Sequence, residues 1–126
     1  MNEKVVLGIR VLLGLGMVVF GLNKFLNFIP VPPPESPEAL ALMGAFVASG
    51  YIMPIVAIVE IITGIAFLAN KFVPLMAIVL FPVMLNAFLF HAVLDPVGVA
   101  GSAVFLALNI VLMFANKPAY EKILQP

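Results

Sequence analysis

Residues 53–69 read MPIVAIVEIITGIAFLA, and the single charge in that run is Glu60. A soluble helix of this length shows one apolar stripe and a polar face; here every face is apolar. At about 1.5 Å per residue the run comes close to spanning the roughly 30 Å of hydrocarbon in a bilayer. Three further stretches of the same kind lie at about 5–28, 74–94 and 96–115. Hydrophobic residues make up 64 % of the chain and charged residues 10 %, with mean hydropathy +1.25. That leaves too little polar surface for a water-soluble domain of 126 residues. The sequence therefore predicts one all-α integral membrane domain over 1–126, a polytopic four-helix bundle.

The span boundaries carry recognisable stop and start signals. Asn70-Lys71 supplies a helix stop and a charge for the C-terminal dipole, and Pro74 suits a first helical position. Asp95-Pro96 reads as an N-cap followed by proline, ending the third span and starting the fourth. The first span follows Lys4 and Arg10 as a signal peptide would, but Asn23-Lys24-Phe25 continues where a small-residue cleavage site belongs, so a retained helix is expected. Pro30-Val31-Pro32-Pro33-Pro34 is extended and rigid by necessity. Ser36-Pro37-Glu38 then starts a short helix over about 37–49, closed by Gly50 and too short to span. It is expected to cap the bundle on one membrane face.

With four spans, Lys4, Lys71, Lys117 and Lys122 share one side, and Lys24 lies on the other with Glu35, Glu38 and Asp95. The positive-inside rule then puts both termini in the cytoplasm. Tyr120 is expected at head-group level. With a net charge of zero and no basic cluster, nothing points to nucleic acid, and no such partner is expected. With no cysteine and one histidine, the chain has no ligand set for a redox cofactor such as an iron–sulfur cluster or a bis-histidine haem. No catalytic motif is present, and no intrinsic cofactor is expected.

In lipid each polar side chain needs a partner, so these residues carry the remaining information. Arg10, Gly14, Met17, Gly21 and Lys24 recur at helical spacing on one face of the first span. Ala57, Glu60 and Gly64, with Thr63 beside them, do so on the second. An unpaired carboxylate at mid-depth costs several kcal/mol. Arg10 is expected within roughly 5 Å of the depth of Glu60, so an Arg10–Glu60 ion pair is the structural reading. A proton or ligand site at Glu60 is the functional one. In the third span Pro82 frees a backbone carbonyl, and Asn86 follows one turn later. His91 lies about 140° around the helix from Asn86 and next to Asp95, a pairing suited to base chemistry or metal binding, or to an interfacial hydrogen bond. Asn109 is expected to join helices. Asn23, Lys24, Glu60, Asn86, His91 and Asp95 are the candidate ligand-binding residues, with Phe20, Phe25, Phe88 and Phe90 as apolar walls.

The order of these features resembles the DoxX / DoxX-like family of small four-helix membrane proteins. The resemblance rests on Arg10 and the run Phe20-Gly21-Leu22-Asn23-Lys24-Phe25 with the prolines after it. Val59-Glu60-Ile61-Ile62-Thr63-Gly64, Pro82, Asn86-Ala87-Phe88-Leu89-Phe90-His91 and Asp95-Pro96 continue it. It implies a bacterial inner-membrane protein that serves as an accessory subunit of a quinone-linked membrane oxidoreductase, partnered by other membrane subunits or by itself. A non-catalytic module that binds lipid or a small molecule, or a structural subunit of a larger complex, is the alternative reading.

Overall fold

The computed structural model describes residues 1–126 and contains helices but no strand. In chain order they are α1 (Glu3–Leu26), α2 (Pro37–Ala48), α3 (Ile52–Ala69), α4 (Val73–Leu89), α5 (Val99–Ala115) and a final turn, α6 (Lys117–Tyr120). A π-helical turn, Phe90–Leu94, extends α4, and a 3-10 turn, Pro96–Gly98, leads into α5. The stretches Glu3–Leu26, Ile52–Ala69, Val73–Leu94 and Pro96–Ala115 are each long and apolar enough to cross a membrane. Only 20 of 126 residues are buried, and Leu12, Ile62, Leu75 and Val104 stand among the exposed hydrophobics. In water such a surface would aggregate; in a bilayer it is the lipid-facing side of the bundle.

The helices form a ring in which α1 packs on α3, α3 on α4, α4 on α5 and α5 back on α1. The α1–α3 seam is the tightest because glycines let the backbones meet. A Cβ placed on Gly64 would lie 2.8 Å from the Gly14 carbonyl oxygen, and one on Gly21 would lie 2.9 Å from that of Ala57. Between α4 and α5, Asn109 Nδ2 donates to the Ala77 carbonyl at 3.0 Å, the interhelical bond the sequence led us to expect. Leu13, Met17, Phe67, Ala77, Leu80 and Leu112 fill the core. Most of these positions lie towards the half of the bundle that carries the chain termini, while Met17 also borders the half under α2. The half under α2 is not filled in this way.

Local signals explain most boundaries. Asn27 (φ 50) and Asn70 (φ 55) end α1 and α3 in the left-handed conformation. Ser36 Oγ accepts from the Ala39 amide at 3.0 Å and caps α2. One expectation is corrected. Asp95 makes no capping bond to α5, which starts through the 3-10 turn instead; its carboxylate accepts from the Glu35 amide at 3.5 Å. Tyr120 is tucked under the bundle, 8 % exposed, and its hydroxyl donates to the Pro74 carbonyl at 2.7 Å.

Candidate functional site

A cavity of about 520 Å³ occupies the half of the bundle beneath α2. All four long helices contribute to it, and Met43 and Phe46 of α2 line its cover. Of the six sequence candidates, Lys24, Glu60, Asn86 and His91 line this cavity, whereas Asn23 and Asp95 do not.

Lys24 Nζ and Glu60 Oε1 form an ion pair of 2.7 Å, with side chains 26 % and 4 % exposed. The expected Arg10–Glu60 pair does not form. Glu60 lies beside Gly21, where a Cβ would sit 3.2 Å from the Glu60 Cβ. Gly21 is about three turns, or some 16 Å, along α1 from Arg10. Lys24 is one turn beyond Gly21, and its long stem reaches back across the missing side chain. Arg10 instead donates to the Phe67 carbonyl near the C-terminus of α3, where the dipole favours a cation. The helix register, not the depth of the two side chains in the sequence, decided the partner.

His91 Nδ1 lies 3.2 Å from the backbone carbonyl of Asp95 and 3.5 Å from its carboxylate. Those contacts occupy Nδ1 and leave Nε2 as the ring nitrogen open to a ligand. The π-helical turn, in which the Asp95 amide donates to the Phe90 carbonyl at 3.1 Å, shapes this corner. Gly98 makes room for the ring: a Cβ there would sit 2.3 Å from His91 Cε1. Asn86 and His91 stand at two edges of one broad cavity-facing side of α4, so their angular separation does not keep them apart. Asn86 is exposed, and its amide bonds to no protein group.

Asn23 and Asp95 hold the chain that surrounds the cavity. Asn23 clamps Ile29 at two points, donating to its carbonyl at 3.1 Å and accepting from its amide at 2.7 Å. Asp95 receives the Glu35 amide, and next to it Ser36 Oγ donates to the Leu94 carbonyl. The strap between α1 and α2 is therefore tied down at each end by one of these residues.

Phe20 and Phe90 line the cavity as the sequence led us to expect; Phe25 and Phe88 do not, Phe25 being half exposed away from it. Phe105 joins them, stacked edge-on against Phe20 with ring centroids 5.7 Å apart and seated over Gly16. Met17, Met43, Met53 and Met84 add four flexible thioether side chains to the wall. No sequence signal marks these, since the methionines are scattered over four helices and meet only in the bundle.

The structure and the apolar surface define an α-helical membrane protein with four candidate spans. Residues 5–92 match the sequence model of the DoxX family, and the chain belongs to that family. The match takes in α1 to α4 and ends just past His91, leaving Gly101, Ser102 and Phe105 of the cavity wall outside it. Among curated proteins and among solved structures nothing matches the chain.

Proposed function

We propose that the cavity binds the ring of a neutral, membrane-borne carbonyl compound of the quinone class, and that the protein serves as an accessory subunit of a membrane oxidoreductase. The observation that carries this reading is the composition of the cavity wall. Lys24 and Glu60 neutralise one another across 2.7 Å, so the site offers a neutral ligand hydrogen-bonding groups without a net charge. Asn86 and His91 Nε2 supply uncommitted polar atoms, and Lys24 keeps ammonium donors beyond the one on Glu60. The methionines and phenylalanines supply the apolar walls. A volume of about 520 Å³ falls within the range of small-molecule sites. These residues fit a ring that carries carbonyl oxygens; they hold no electron-transfer group, so electrons would pass through a partner subunit.

The whole chain is read as one membrane domain. Lys4, Lys71, Lys117 and Lys122 at the terminal end support cytoplasmic termini, with α2 and the cavity on the far side. Family membership supports a bacterial inner membrane.

The test uses the detergent-solubilised protein and a short-chain ubiquinone. A rise in melting temperature with ubiquinone concentration is expected for the unaltered protein and is expected to vanish in Asn86→Leu and His91→Ala. No response in the unaltered protein, or an equal response in all three, rejects the reading. Phospholipid recovered from the cavity in place of quinone would favour the non-catalytic lipid-binding module.

A further inference from the structure

We infer that the groove around Arg10, at the end of the bundle opposite the cavity, binds the phosphate group of a membrane phospholipid. This groove has a volume of about 320 Å³ and is lined by Met1, Glu3, Val6, Leu7, Arg10, Asn70 and Ala115. It is separate from the cavity beneath α2 and shares no residue with it.

Arg10 is the group that needs an anion. It lies in the third turn of α1, half-buried, within a stretch that crosses the membrane. The Glu60 carboxylate pairs with Lys24 and that of Asp95 faces His91, and no carboxylate forms an ion pair with Arg10. One guanidinium N–H is spent on the Phe67 carbonyl, which fixes the side chain. Arg10 lines the groove, and the donors of its planar fork beyond that one suit phosphate oxygens. An anchored cation without a counter-ion beside hydrocarbon is a costly arrangement unless an anion from outside the chain completes it.

The surroundings agree with a lipid headgroup. Asn70, exposed and in the left-handed conformation at the end of α3, commits its side-chain amide to no protein group. Val6, Leu7 and Ala115 give the groove apolar sides along which an acyl chain can run. Lys4, Lys71 and Lys117 stand at the same end and add a positive field. Glu3 opposes it. Glu3 lies about 10 Å from Arg10 along the helix, near one screening length, so it bounds the site on the water side.

The test is native mass spectrometry of the protein released from neutral detergent with phosphatidylglycerol or with diacylglycerol, which has the same tails and no phosphate. Retention of phosphatidylglycerol is expected to exceed that of diacylglycerol about tenfold. That preference is expected to be lost in Arg10→Gln, and also in Ala115→Phe, which fills the groove and leaves the Arg10–Phe67 bond in place. If Arg10→Gln fails to fold, Ala115→Phe decides. Equal retention of both lipids, or an undiminished preference in Ala115→Phe, overturns the proposal. Displacement of phosphatidylglycerol by millimolar inorganic phosphate, with equal stabilisation by phosphate alone, makes the occupant a soluble phosphate and overturns the lipid assignment.

Discussion

Lys24 and Glu60 meet at 2.7 Å between α1 and α3, one at the rim of the cavity and the other in its depth. The pair is expected to act as a unit. Lys24→Met leaves a carboxylate 4 % exposed without a partner and should destabilise the protein by about 3 kcal/mol, and Glu60→Gln should cost less because Lys24 retains access to the cavity. The double variant should melt above Lys24→Met. Arg10→Met combined with Glu60→Gln should show simple additivity, since the two lie some three turns apart. Melting curves in detergent check both statements, and strong Arg10–Glu60 coupling would contradict the helix register.

The α1–α3 seam leaves no space for side chains at its glycines. Gly64→Ala puts a methyl group 2.8 Å from the Gly14 carbonyl oxygen and 2.9 Å from the Val18 amide, both backbone atoms. A loss of about 2 kcal/mol is expected from the forced separation. Gly8→Ala and Gly101→Ala, where a Cβ meets nothing within 4 Å, serve as controls and should be neutral or better. Equal melting temperatures for Gly64→Ala and the controls would rule out the close approach.

Gly98→Ala offers a way to move His91 without altering it. The new methyl group overlaps the imidazole at Cε1 and Nδ1, so the ring must leave Asp95. His91 is the only histidine of the chain, so its ring resonances are unambiguous in an NMR spectrum. A changed chemical shift is expected in Gly98→Ala. An unchanged spectrum would place the ring elsewhere.

Asn23→Ala and Asp95→Ala should loosen the strap rather than empty the site. Each removes a side chain that ties residues 29–36 to the bundle. Faster hydrogen exchange in α2 and the preceding segment is expected, with ligand response largely retained. His91→Ala should do the reverse, weakening ligand response while α2 stays protected. If Asn23→Ala abolishes ligand response without faster exchange, Asn23 belongs to the binding wall after all.

Orientation can be read by labelling single cysteines introduced into this cysteine-free chain. A cysteine at position 35 should react from the side opposite the termini, and one at position 71 from the same side as the termini. Labelling of both from one side would overturn the four-span topology.

Spans, the caps at Ser36 and Asn70 and the short helix after the proline run were legible from residue order alone, because they depend on local physics. Hydrocarbon accepts only long apolar helices. Asn27 and Asn70 adopt the left-handed conformation with little strain, and Ser36 satisfies free amides within its own turn. The four polar residues that line the cavity, Lys24, Glu60, Asn86 and His91, stood out in the sequence for a related reason: a polar group inside a membrane span is rare unless it is paired or used. What each polar group pairs with depends on how the helices slide past one another. Glycines at 14, 21 and 64 bring α1 and α3 into contact at a register that gives Glu60 to Lys24 and sends Arg10 to Phe67. The same packing gathers methionines from four helices around one cavity and lays Gly98 under His91. Residue order carries no trace of these meetings, because the partners are far apart in the chain and only tertiary contact selects them.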